Sequence, residues 1–378
     1  MNIKYIILFI GFLLFITFPI INNLANILPD IESSENRKMK SFPMMDTISN
    51  ESKSKFLEEY LIDHTSVRNR LIKFYNKLNI FVFKSSPVVI KAIVGKNGWY
   101  FMAGEELKTY VGTELFTEQE LVEFKNEMLR RKKVIEENHA HFLIAIVPNK
   151  SNVYSEYMPD HIKRTNQEGY GMQLLDYLKK FDLPVIDLYK PLTEAKVNLD
   201  VYYKTDNHWN DYGAFIGSNE ILKAFKKYNN NIKLLDQNTY KIKTVIEKPG
   251  NIAKMFSLEN EITETNYIPI SKSGFLSFEN KLNKYTPTQG FPYPEEYELT
   301  RFSKNNSLPT VLIIRDSFGA KILPYLSEQC KKMVAIYDGW HYGLNEEIIK
   351  GEKPDIVLML IVESNLKNVI KYQKLENK

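Results

Sequence analysis

The pattern of apolar and polar positions divides the chain into three stretches. Tyr5–Ile21 is a run of 17 residues without a charge, about 25 Å of helix at about 1.5 Å per residue, enough for the thin end of a bilayer core. It is longer than the apolar part of most secretory signals and no small-x-small cleavage site follows it. These features favour an uncleaved signal anchor over a cleaved signal or a buried helix. Lys4 and the α-amine precede the run, whereas Asp30, Glu32 and Glu35 follow it before any basic residue. The positive-inside bias therefore points the N-terminus into the cytoplasm and the rest of the chain outward. After this segment (residues 1–28), residues 29–90 open as a polar juxtamembrane stretch. Phe56, Leu57, Tyr60 and Leu61, then Leu71, Phe74, Tyr75 and Leu78, mark one apolar helical stripe there, a helical stalk or a helix packed on the main domain.

From Ala92 the period changes. Lys96-Asn97-Gly98 between short apolar stretches predicts a hairpin, and Thr117–Glu120 is a capping box for a helix running to about Asn138. His141–Val147, Val185–Leu188, Val311–Ile314, Met333–Tyr337 and Ile356–Val362 read as strands. Helices are expected near 170–180, 211–228 and 320–329, and a strand-and-loop insertion at about 239–300. This alternation predicts one α/β domain over 91–370, a mainly parallel sheet flanked by helices, with its site at the carboxyl ends of the strands. Length alone suggests about two domains; the pattern gives an anchor, a stalk and one large core.

The charge balance, 50 Lys+Arg against 46 Asp+Glu with the two signs interspersed, argues against a nucleic-acid partner. Cys330 is the single cysteine, which excludes an intramolecular disulfide and a cysteine-based zinc cluster. His139 and His141 have strand spacing but no evident third ligand, so no metal is expected.

Two short constellations carry chemistry. Arg315-Asp316-Ser317-Phe318-Gly319 follows a buried strand and precedes a helix, a turn that projects a serine above a sheet beside helix N–H groups able to hold an oxyanion. The plain alternative is that Asp316 or Ser317 only caps the helix. The second is Tyr202–Asn210, in which Asp206 and His208, two apart in an extended segment, can supply a base and the acceptor that orients it; taken alone it is a polar loop. Together they predict a Ser317–His208–Asp206 triad.

Asp-Asn-His-Trp followed by Arg-Asp-Ser-Phe resembles the SGNH-hydrolase-like domain of the alginate O-acetyltransferase superfamily (AlgX/AlgJ type), most closely its branch named for an Asp-His-His-Trp motif (DHHW). Glu35-Asn36-Arg37 with Phe42-Pro43, Asp63 with Arg68, Val94–Phe101, Val147–Lys150 and Asp355–Leu358 extend the likeness in order along residues 30–370. Asn207 stands where the branch name has a second histidine, and Arg315 where many SGNH enzymes have the glycine of Gly-Asp-Ser, a bulky cation able either to clamp an anionic group or to crowd the oxyanion site. The resemblance implies Ser317 as nucleophile, His208 as base and Asp206 as its orienter. Asn149 is the best-placed oxyanion donor, with Lys150 beside it. Trp209 is either a sugar-stacking or a core residue, and Arg315 and Phe318 flank the substrate site. It further implies an acyl group, most simply acetyl, carried by an acyl-serine to a cell-envelope or secreted polysaccharide. A multispanning membrane O-acyltransferase is the implied donor, and no cofactor or metal is required. The expected setting is a single-pass anchor in the cell membrane with the catalytic domain extracytoplasmic. A deacetylating esterase with the same triad, and a non-catalytic scaffold or glycan-binding protein that has kept the fold, are the alternatives.

Overall fold

The computed structural model describes residues 3–29, 50–65, 67–88, 90–166, 169–236, 238–275, 277–280, 284–287 and 291–376. The motif pieces Glu35–Arg37 and Phe42–Pro43, and the acidic flank Asp30, Glu32 and Glu35, lie outside the described residues. The uncharged run forms α1 (Ile3–Ala25), long and apolar enough to cross a membrane; its 23 residues extend about 35 Å. The two apolar stripes become α2 (Asn50–His64) and α3 (Arg68–Lys77), the latter continuing as a π-helical turn over Leu78–Phe83. Asn76 of α3 donates to the Phe256 carbonyl at 3.0 Å, and Lys73 and Lys77 both pair with Glu261. This segment thereby docks on the later part of the chain.

The predicted hairpin is β1 (Ala92–Val94) and β2 (Tyr100–Met102). Its reversal places Asn97 (φ 54°) and Gly98 (φ 80°) in the left-handed region, which these two residue types tolerate best. There follow α4 (Glu105–Val111), α5 (Glu118–Glu137), β3 (His141–Val147), α6 (Lys150–Val153), α7 (Tyr170–Leu178), β4 (Val185–Asp187), α8 (Tyr189–Ala195) and α9 (Asp211–Phe225). Both bonds of the capping box are present at the start of α5, Glu120 N–H to Thr117 Oγ1 and Thr117 N–H to Glu120 Oε2. The insertion holds β5 (Tyr240–Glu247), α10 (Asn251–Met255), β6 (Glu264–Ser271), β7 (Phe278–Asn280) and β8 (Glu298–Phe302). The chain ends with β9 (Thr310–Arg315), α11 (Leu323–Ser327), β10 (Lys332–Tyr337), α12 (Glu346–Glu352), β11 (Ile356–Val362) and α13 (Leu366–Glu376).

The main sheet has the order β4-β3-β11-β9-β10-β8-β7. Its first five strands are parallel, and the insertion adds β8 and β7 antiparallel at one edge, while β5 and β6 pair apart from it. Period-two alternation splits the core across the sheet. Leu143, Ala145 and Val147 of β3, Ile313 of β9 and Leu358 of β11 face α9 and its Phe215, Leu222 and Phe225. Ile144 and Ile146, Ile314, Met359 and Ile361 face the other way, onto Phe124 and Met128 of α5, Leu174 of α7 and Val369 of α13. One prediction needs correction: the helix expected over 320–329 is a 3₁₀ turn at Ser317–Lys321 followed by the short α11. Pro324 has no N–H to continue an α-helical ladder out of the turn, so the helix restarts there.

Candidate active site

Strands β3, β11, β9 and β10 end at one edge, presenting Asn149, Glu363, Asp316-Ser317 and Asp338 in turn. Asp316 fixes the turn after β9: its carboxylate accepts from Phe318 N–H (2.9 Å), Val362 N–H at the end of β11 (2.7 Å) and the Tyr342 hydroxyl (2.7 Å). Asp316 is therefore the cap that the plain reading foresaw, and Ser317 is left facing the other loop. That loop, residues 201–210, doubles back through a Tyr202–Trp209 bridge, with Tyr203 N–H on the His208 carbonyl and Asn210 N–H on that of Val201. His208 Nε2 lies 2.8 Å from Ser317 Oγ, and His208 Nδ1 lies 2.6 Å from Asp206 Oδ1.

Asp206 is ionised in this arrangement. Burial pushes its carboxyl pKa up, but the His208 ring, the Asn251 N–H (2.8 Å to Oδ2) and the His208 N–H (3.0 Å to Oδ1) outweigh that and hold it below the usual range. A carboxylate on Nδ1 requires the proton there, so Nε2 is the acceptor for the Ser317 hydroxyl. Serine, base and orienting carboxylate are thus in hydrogen-bond contact, the geometry a general base needs to take a proton from an attacking hydroxyl.

The remaining expected site residues are placed differently. Trp209 is fully buried, and its Nε1 donates to the Phe318 carbonyl at 2.9 Å; of its two readings the core one holds, because the indole ties the histidine loop to the serine turn. Phe318 is buried with its ring 4.7 Å from that of His208, a packing surface for the imidazole. Phe318 N–H is spent on the Asp316 carboxylate and Gly319 N–H on the Asp316 carbonyl, so neither of these two is offered to an oxyanion. Asn149 is buried and donates through Nδ2 to Thr109 Oγ1 at 2.7 Å. Lys150 is also buried, and its Nζ donates to the carbonyls of Tyr203 (3.1 Å), Lys204 (3.3 Å) and Asp206 (2.6 Å). It braces the loop that carries Asp206 and His208 from behind and is not presented to a substrate. Arg315 is 3% exposed; its guanidinium stacks on Tyr337 at 4.8 Å and donates to the carbonyls of Asp316 and Glu296.

Sequence reasoning missed the clamp on Asp206 from α10. Besides the Asn251 N–H, Asn251 Nδ2 donates to Asn207 Oδ1 at 2.6 Å, so the asparagine in place of a second histidine is paired with a residue of the insertion. Gly250 packs so closely that a methyl group on it would lie 2.3 Å from Asp206 Cβ. Thr205 is held by buried Glu264 through its N–H (2.7 Å) and hydroxyl (2.5 Å), and its carbonyl accepts from Ile252 and Ala253. α10 is seated by Ile252 and Phe256 in a small core with Ile80 and Tyr100. The local signal was Pro249-Gly250-Asn251, which reads only as a turn. A cavity of about 420 Å³ lined by His139, His141 and Tyr228 lies at the opposite, amino ends of the strands.

Residues 92–273 match the family model of the SGNH hydrolase-like domain of acetyltransferase AlgX. Over this stretch, just under half of the chain, the protein is similar to an SGNH hydrolase-like domain of the AlgX type. The match contains Asp206 and His208, and Ser317 reaches the AlgX-like segment through the fold. Among curated relatives, the probable alginate O-acetylase AlgJ of Pseudomonas putida is 24% identical over 135 residues, 36% of this chain and 34% of that protein. The AlgJ of Pseudomonas aeruginosa is 30% identical over 128 residues, 32% of this chain and 30% of that protein. The chain thus spans about a third of the length of these relatives. Two solved structures share the fold: Bacillus cereus PatB1 with a sulfonyl adduct (TM-score 0.52, 21% identity, 72% of this chain and 96% of that one), and a DHHW family protein from Eubacterium siraeum (TM-score 0.51, 16% identity, 76% and 94%).

Proposed function

We propose that this chain is a serine-dependent O-acyltransferase that transfers an acyl group, most simply acetyl, to a hydroxyl of a cell-envelope or secreted polysaccharide. The observation that carries the reading is the hydrogen-bonded series from Asp206 through His208 to the half-buried Ser317 at a strand end. The relatives named as alginate O-acetylases support acetyl transfer and an acceptor that is a polysaccharide, without fixing which one. Ser317 Oγ attacks the acyl carbonyl carbon while Nε2 takes its proton; the tetrahedral adduct collapses, and the leaving group departs with that proton. The acceptor hydroxyl then attacks acyl-Ser317, gives its proton to Nε2, and collapse frees the ester and returns the proton to Ser317. Throughout, Asp206 stabilises the imidazolium that forms.

In this proposal α1 anchors the chain in the membrane, the domain works outside the cytoplasm, and a multispanning membrane acyltransferase delivers the acyl group. The test is turnover of a chromogenic acetyl ester with and without oligosaccharide acceptors. Ser317→Ala is expected to remove turnover at unchanged melting temperature; retained turnover refutes the nucleophile. Ester hydrolysis without any acetylated sugar assigns the site to an esterase instead.

A further inference from the structure

The chain leaves β10 through Tyr337-Asp338-Gly339-Trp340 beside the serine turn. Tyr337 pairs with Arg315 in the parallel register, and Asp338 N–H donates to the Arg315 carbonyl at 2.9 Å. A side chain on Gly339 would lie 3.0 Å from Asp316 Cβ, so the bare glycine lets this segment run against the residue before Ser317. Trp340 is one residue further on, which puts its Cα within about 12 Å of that of Ser317 by chain geometry.

Here aromatic rings gather. Tyr293 lies nearly parallel to Tyr337 (11°, centroids 6.3 Å apart) and to Trp340 (29°, 6.3 Å), and Trp340 is 5.6 Å from Tyr337. Phe291 meets Trp340 edge-on at 5.4 Å and supports the group. Tyr337 is buried, whereas Tyr293 is 47% and Trp340 43% exposed. Two large exposed rings thus sit on a buried aromatic base near the Ser317 turn, each packed against the others while keeping a face in water. The rim of this platform is acidic at Glu295 and Glu296, exposed next to Tyr293, whereas the Asp338 carboxylate is engaged by the Gly343 N–H (2.8 Å) and His341 Nδ1 (3.1 Å). Among the described residues, the cation stacked on these rings is Arg315, buried beneath Tyr337 and committed to two carbonyls.

We propose that Tyr293 and Trp340 form an acceptor subsite that stacks a pyranose ring of an uncharged or N-acetylated glycan and presents its chain to Ser317. The flat C–H face of a pyranose matches an exposed ring face. The carboxylate rim repels a polyuronate, whose sugar units each carry a negative charge. This deepens the function proposed above and rests on it for the meaning of the bound glycan.

The probes are chitohexaose and a mannuronate hexamer, titrated against the full chain while its tryptophan fluorescence is followed. Trp99 and Trp209 are buried, so Trp340 is the indole positioned to respond. Chitohexaose is expected to give a saturable change that disappears in Trp340→Ala, while Trp340→Phe keeps acceptor function. Trp340→Ala and Tyr293→Ala each raise the chitohexaose concentration giving half-maximal acetyl transfer, by roughly tenfold for the loss of one ring. Ser317→Ala keeps the fluorescence response, so failure of the acyl chemistry and failure of the subsite are separate results. The proposal is overturned if Trp340→Ala leaves both binding and half-saturation unchanged, or if the mannuronate hexamer binds at least as tightly as chitohexaose.

Discussion

Replacing Gly250 by alanine adds a methyl group 2.3 Å from Asp206 Cβ and 2.5 Å from Asp206 Oδ2. Carbon atoms settle at about 3.5 Å or more, so Asp206 and the 250–251 turn must separate by roughly 1 Å. The glycine itself has φ −79°, so backbone strain does not enter and the effect is steric. A shift of that size stretches the 2.8 Å bond from Asn251 N–H to Asp206 Oδ2 beyond hydrogen-bond range. A bond to a charged group contributes about 1.5–3 kcal/mol, which on the barrier corresponds to roughly a 10- to 150-fold loss in kcat. Movement of the carboxylate away from Nδ1 adds to this, because a misplacement of about 1 Å is by itself worth up to about 100-fold. Turnover of a small acetyl ester by Gly250→Ala is therefore expected to fall about 100-fold, with a modest fall in melting temperature. Asn251→Ala keeps its backbone N–H and loses only the pairing with Asn207, so its turnover should fall far less. Full activity in Gly250→Ala would refute the clamp, as would an equal loss in the two variants.

Two further expectations concern the same loop. Lys150→Met leaves the carbonyls of Tyr203, Lys204 and Asp206 without their shared donor and Glu106 without its counter-charge; burial already pushes the Glu106 pKa up to about 7 and that of Lys150 down to about 8. Breaking this buried pair should cost about 3–5 kcal/mol in denaturant unfolding, and Glu106→Gln added to Lys150→Met should recover part of it; a double variant less stable than the single one contradicts the account. Asp206, held below its ordinary value of 3.8, stabilises the fold above about that pH, and the contribution is lost as pH falls through the native value. The melting-temperature gap between wild type and Asp206→Asn should therefore be widest near neutrality and narrow below about pH 4, and a gap constant from pH 2 to 7 would count against it.

The parallel core was legible because β3 and β11 are buried on both faces and read as unbroken apolar runs between helical periods. The antiparallel strand β8 was not: Glu298 and Thr300 point inward, Glu298 accepting from the Thr300 hydroxyl and the N–H groups of Lys284 and Tyr285, so the usual alternation is inverted. At the site, Asp206, His208 and Ser317 stood out because reactive residue types fell at junctions between strands and helices. Gly250, Asn251 and Glu264 act across separations of 44 to 59 residues, from an insertion whose own pattern speaks only of turns. Trp209 and Trp340 show the same limit from another side. Each indole sits in a polar loop, and only the packing decides: Trp209 lies against Gly217 of α9 and bonds the Phe318 carbonyl, whereas Trp340 rests against Tyr337 and Tyr293 with 43% of its surface exposed.

Arg315 joins these two halves. Read as a sequence, an arginine in the glycine position of Gly-Asp-Ser threatens to crowd the serine. In the fold its side chain runs toward Gly319, where a methyl group would meet Arg315 Cδ at 2.5 Å, and on to the Tyr337 ring and the Glu296 carbonyl. A glycine stands four residues further on, at 319, and its lack of a side chain makes room for the arginine stem. The guanidinium then lies under the aromatic platform, with one donor on the carbonyl of Asp316 and another on that of Glu296. Arg315 therefore ties the Ser317 turn to Tyr337, the buried ring of the platform, a link that a glycine at this position has no side chain to make.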